Sequence, residues 1–105
     1  MPQYDVYANS DLRTRNLIPY LIDLQADFMD DLETRLVAPL VPSGRRETPL
    51  PRLHPVVEIE GKRHHIVMQE MAAVPRQALS GRPVANLSDR SYEITAAIDF
   101  LVTGI

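Results

Sequence analysis

Sustained helical periodicity is confined to the end of this chain. In "LSDRSYEITAAIDFLVTGI" the residues Ile94, Ala97, Ile98, Leu101 and Ile105 fall on one stripe at helical spacing, while Ala96, Phe100 and Thr103 point elsewhere. Ser88 reads as the N-cap, and Asp89 and Glu93 lie near the positive end of the helix dipole. One helix cannot build a core alone, so the sequence before it must supply the surface on which it packs.

That upstream sequence reads as strands. "QYDVYA" (3–8) alternates, with Tyr4, Val6 and Ala8 on one side and Gln3, Asp5 and Tyr7 on the other. "LIPYLIDLQ" (17–25) is a longer apolar run in which Pro19 belongs at the strand start or on an edge. "RLVAPLV" (35–41) is a third strand. "VVEIE", "GK" and "RHHIVM" (56–68) form the clearest hairpin, with Gly61 at the first loop position of a type II′ turn. "QEMAAVP" (69–75) continues or bends that strand. Between the strands, "ADFMDDLET" (26–34) reads as an acidic loop, and "PSGRRETPLPRLHP" (42–55) as a long irregular basic connection. About five strands followed by one helix give a mainly β, α+β chain: a small antiparallel sheet or barrel forming one domain over residues 1–105.

Charge is unevenly placed. The formal net charge is −3, but residues 1–34 carry seven acids against Arg13 and Arg15, while residues 35–82 carry eight bases against four acids. The acidic total argues against binding nucleic acid by charge alone, and the basic middle leaves room for an acidic protein partner. With no cysteine, disulfides, thiol nucleophiles and Cys-based zinc sites are excluded. "MPQYDVYANSD" lacks the basic start and apolar core of a signal peptide, and no apolar run approaches the roughly 18 residues of a membrane span. A cytoplasmic protein without membrane contact is expected.

No constellation of catalytic or metal-binding residues stands out. His64 and His65 are adjacent on a strand and point to opposite faces, so they cannot share one metal; either is at most a lone general base. The serines lack the glycine context of a nucleophile elbow, and the acids of 27–33 do not match calcium-loop spacing. No cofactor or metal is implied. Phe28 and Met29 are awkward in an acidic loop: they either tuck under it or act as contact residues.

Three stretches, "QYDVYAN", "YLIDLQADFMDDLETRLVAPL" and "LHPVVEIEGKRHHIVMQEMAAVP", together with the tail "VANLSDRSYEITAAIDFLVTGI", resemble the CcdB family of toxins. The resemblance implies a CcdB-type fold, related to SH3-like barrels with a C-terminal helix, in a homodimer. It implies the non-catalytic toxin of a type II toxin–antitoxin system, of the kind that serves plasmid maintenance. Such a toxin binds the A subunit of DNA gyrase, traps the enzyme on cleaved DNA and is neutralised by a CcdA-like antitoxin. The family's Trp-Gly-Ile end falls on Thr103, Gly104 and Ile105, so Thr103 stands where the family has its aromatic anchor. The implied gyrase-binding set is Thr103, Gly104 and Ile105, the neighbouring Asp99, Phe100 and Val102, and Ala26, Phe28 and Met29 of the loop after the second strand. Two other readings stay open. One is a CcdB-fold dimer that has lost gyrase poisoning but still binds an antitoxin or another target. The other is an endoribonuclease of the related toxin barrel, for which Arg45, Arg46, Arg52, Lys62, Arg63 and His65 supply charge and a base.

Overall fold

The structure, a computed structural model, describes residues 1–44 and 50–104. Seven strands, β1 (Asp5–Ala8), β2 (Tyr20–Asp23), β3 (Thr34–Pro42), β4 (Val56–Ile59), β5 (Lys62–Ile66), β6 (Ala72–Pro75) and β7 (Ala85–Asn86), precede one helix, α1 (Ser91–Thr103). All pairs are antiparallel, in the order β4-β5-β3-β2-β1-β7, with β6 also paired to β3. The sheet curls into a nearly closed barrel, the mainly β, α+β architecture read from the sequence.

β3 is the spine. Its first half pairs with β6 (Leu36 opposite Ala73) and its second half with β5 (Leu40 opposite Ile66). Pro39 sits where the partner changes, so its missing N–H is not needed for a ladder, while its carbonyl accepts from the Val67 N–H at 2.9 Å. Pro19 lies just before β2, outside the ladder, and its carbonyl accepts from Asn9.

The main core gathers Val6, Ile22, Ala38, Leu40, Val57, Ile59, Ile66, Met68, Ile94 and Ala97, all nearly inaccessible to solvent. A smaller cluster of Tyr7, Val37 and Leu79 covers the opposite face of the sheet. That second cluster corrects the alternation expected for 3–8: Asp5, Val6 and Tyr7 are all buried and Ala8 is exposed, because the strand is covered on both faces. Tyr4 falls outside the strand, with a left-handed backbone (φ 72°) held by bonds from its N–H to Asp23 and from the Leu87 N–H to its carbonyl.

Two local expectations are corrected. The hairpin loop is Glu60-Gly61 rather than Gly61-Lys62: Ile59 pairs with Lys62, and both loop residues have positive φ (51° and 80°), which makes the turn type I′. Ser88 is not the helix cap. It opens a 3₁₀ turn (Ser88–Arg90) that leads into α1 without a side-chain cap. The start of α1 is instead tied down by Arg90, which pairs with both carboxylate oxygens of Glu93 at 2.8 Å and donates to the Val56 carbonyl of β4 at 2.7 Å.

Candidate functional site

Two places on the surface collect the residues singled out from the sequence. The first is the outer end of α1. Ile94 and Ala97 are fully buried, Ile98 and Phe100 are half-buried against the main core, and beyond them the helix emerges, with Leu101 exposed and Val102 more so. Asp99, Thr103 and Gly104 are exposed. The helix stops because Gly104 takes a left-handed conformation (φ 75°) and returns its N–H to the Phe100 carbonyl at 2.8 Å. Nothing lies within 4 Å of where a Cβ on Gly104 would stand, so it is the backbone that calls for glycine here. The Thr103 hydroxyl donates back to the Asp99 carbonyl at 2.7 Å, in the pattern of mid-helix threonines. The Arg52 guanidinium covers the Phe100 ring at 4.2 Å, so that aromatic already has a cation–π partner within the chain. Ile105 lies outside the described residues.

The second place is the loop after β2. A 3₁₀ turn (Asp27–Met29) is held firmly: Asp27 accepts from the Gln3 N–H at 2.6 Å, and Gln25 donates to the Met29 carbonyl at 2.8 Å. Asp30 receives Arg35 at 2.7 Å, Arg76 at 3.3 Å and the N-terminal ammonium at 3.5 Å. Desolvation would push the Asp30 carboxyl up, but the ammonium, Arg76 and Arg35 together hold it below the usual aspartate range. This anchored loop turns its apolar side chains outward. Phe28 is 90 % exposed, and Ala26, Met29 and Leu32 are exposed beside it. The side chains do not tuck under the loop but are presented to solvent.

The loop and the helix end are fixed by different parts of the barrel, the loop through Gln3 and Arg35, the helix through Val56 and Arg52. The fixing of the loop went unseen in the sequence. Arg35 belongs by position to the basic middle, yet it is fully buried. It binds Asp23 with Nε at 3.1 Å and Nη2 at 2.7 Å. Burial pushes the Asp23 carboxyl above its ordinary value, against the opposing pull of Arg35. With Arg76 also engaged by Asp30, the acidic first third and the basic middle partly neutralise each other. The only sequence signal was an arginine at an inward strand position, which a charge count treats as surface.

The histidines are structural in two of three places. His54 is buried, with the Leu50 N–H donating to Nδ1 at 2.9 Å and Gln69 Oε1 2.7 Å from Nε2. His65 is buried and lies 3.3 Å from the Ser43 hydroxyl. Arg45 and Arg46, named for the endoribonuclease reading, lie outside the described residues. Among the described residues no group of three or more His, Asp or Glu is placed to hold a metal ion.

Residues 3–104 match the family model described as CcdB protein. The chain belongs to the CcdB family. CcdB membership assigns it to the toxins of toxin–antitoxin systems, a family of gyrase poisons with antitoxin and gyrase partners in general. A search of curated proteins returns no significant match. No helix among the described residues of this CcdB-family chain is long and apolar enough to cross a membrane.

Proposed function

We propose that this chain is a cytoplasmic, non-catalytic toxin that binds the A subunit of DNA gyrase and traps the enzyme on cleaved DNA. It acts as a homodimer of single-domain subunits spanning residues 1–105, and a CcdA-like antitoxin neutralises it. The observation that carries this reading is the family match over nearly the whole chain. In support, both places expected to meet gyrase carry exposed apolar side chains on ordered scaffolds: Phe28 and Met29 in the loop, Val102 at the helix end. The full proposed contact set is Ala26, Phe28, Met29, Asp99, Phe100, Val102, Thr103, Gly104 and Ile105.

One observation favours a second reading, a CcdB-fold dimer without gyrase poisoning. Thr103 stands where the family resemblance puts a tryptophan, and its hydroxyl is turned back onto the helix. A buried aromatic anchor is worth about 2 kcal/mol or more in a protein complex, so its absence weakens binding roughly 30-fold.

The test measures supercoiling inhibition and trapped cleavage complexes with three proteins: wild type, Thr103→Trp, and a chain lacking Gly104 and Ile105. The expected order is weak inhibition by wild type, inhibition at roughly 30-fold lower concentration by Thr103→Trp, and none by the shortened chain. Strong trapping by wild type with no gain from the tryptophan moves the anchor to Phe28 and Met29. Silence from both wild type and Thr103→Trp supports the second reading.

A further inference from the structure

A cleft of about 440 Å³ lies between the segment leading into β2 and the β4–β5 hairpin, apart from the loop and helix end discussed above. Its lining includes His64, which is only 3 % exposed. His64 Nδ1 lies 2.9 Å from the Lys62 carbonyl, so it carries the proton and donates. In the neutral ring Nε2 is then an acceptor, and no described residue bonds to it. Every fully enclosed side-chain polar atom of the described residues has a partner, so Nε2 is not fully enclosed, and His64 is among the residues that line the cleft. Buried polar groups are ordinarily satisfied, and an unpartnered acceptor on a residue that lines a cleft is available to a ligand.

The other polar groups of the cleft divide by chemistry. Arg15 and Lys62, both exposed, have no ion-pair partner among the described residues. Glu60 accepts from the Tyr20 hydroxyl at 2.6 Å. That bond, then burial, pushes the Tyr20 phenol up, so it stays a donor. Tyr20 also stands edge-on to the His64 ring, with centroids 5.2 Å apart, and locks its orientation. The second carboxylate oxygen of Glu60 remains free to accept. One cleft thus combines two cations, suited to a phosphate, with two acceptors, Glu60 and His64 Nε2, suited to hydroxyl donors.

We propose that this cleft binds a sugar phosphate, with Arg15 and Lys62 on the phosphate and Glu60 and His64 accepting from the sugar hydroxyls. A free sugar phosphate and a mononucleotide share this chemistry. The test is amide and histidine NMR of the full chain titrated with ribose 5-phosphate, 2-deoxyribose 5-phosphate, adenosine monophosphate and inorganic phosphate. Ribose 5-phosphate should give saturable shifts centred on Tyr20 and on residues 59–64, with the deoxy sugar and inorganic phosphate each roughly tenfold weaker. Tighter binding of the nucleotide than of ribose 5-phosphate assigns the site to nucleotides; equal binding assigns it to the sugar phosphate. The paired change Arg15→Ala with Lys62→Ala, at exposed positions that leave the core intact, should weaken binding at least tenfold. No saturable shift at about 10 mM of any ligand, unchanged affinity in the double variant, or inorganic phosphate binding as tightly as the sugar phosphate would overturn the proposal. None of these outcomes depends on gyrase.

Discussion

The Arg35 guanidinium lies fully buried in the barrel. A buried guanidinium is tolerable only while its partners stay in place, since desolvating an ion costs several kcal/mol. Asp23 accepts two of its hydrogen bonds and is itself fully buried. Asp23→Ala therefore leaves an uncompensated charge in the interior and should cost about 3 kcal/mol, read as a lower urea midpoint at unchanged slope. The double change Asp23→Leu with Arg35→Met should recover most of that loss, because apolar isosteres often replace buried pairs without penalty. Asp30, the more accessible partner, sets a different signature. Its folded-state value lies below the ordinary aspartate range, so its contribution is fully present above that range and is lost as pH falls through the depressed value. Asp23 has the opposite sign: its raised value means that acidification relieves a cost. Asp30→Asn should accordingly flatten the acid limb of the stability curve, measured by urea unfolding between about pH 2 and 6. A limb as steep as wild type would place the acid sensitivity elsewhere, with Asp11 and Glu93, which arginine partners also hold low, as the next groups to change.

At the scale of the element, α1 has two parts with different duties. Its first half is a core element: Ile94 and Ala97 are buried in the main core together with Met68. Ile94→Ala removes a fully buried side chain and should cost about 2–5 kcal/mol. Val102, 74 % exposed, should change stability by no more than about 0.5 kcal/mol when replaced by alanine. Thermal unfolding of the two variants checks the division. Equal losses would mean that the helix end is packed against something in solution, such as a partner subunit. The hairpin shows how one residue of register matters. Moving the loop from 61–62 to 60–61 puts Glu60 at a positive-φ position that costs a side chain some strain. The Tyr20–Glu60 bond at 2.6 Å helps hold it there, and the same displacement places the Glu60 carboxylate in the cleft.

For the whole molecule, the exposed apolar inventory is the main clue to assembly. Phe28, Met29, Leu32, Leu36, Leu101 and Val102 are all exposed, and exposed apolar surface of this kind, where contiguous, marks a contact site. If this chain dimerises as its family resemblance implies, some of that surface is covered in the pair and the rest is left for gyrase. Sedimentation equilibrium at about micromolar concentration should give twice the chain mass of 11.9 kDa. A single monomeric species at that concentration would remove the homodimer from the proposal. Loss of dimer in Leu36→Asp but not in Phe28→Asp would separate the covered surface from the one left free.

The sequence by itself determined the terminal helix, the strand-rich body and the family resemblance. Those rest on local signals: helical spacing at 94, 97, 98 and 101, apolar runs bounded by turn residues, and motifs read along the chain. It also located the odd apolar pair Phe28 and Met29, because a mismatch between a residue and its neighbours is visible in one dimension. Only the tertiary structure decided what was buried and by whom. Tyr7 lies inside because Leu79, far along the chain, covers it. Arg35 is an interior ion because its guanidinium reaches Asp23 of the neighbouring β2, which itself stands opposite Val37. Phe100 became a packed ring because Arg52 reaches it. His64 lines a cleft because Tyr20 and Glu60, forty positions apart, meet beside it. Burial, ion pairing and the opening of a cleft are properties of groups brought together from distant positions, and composition and periodicity along the chain do not encode which distant groups will meet.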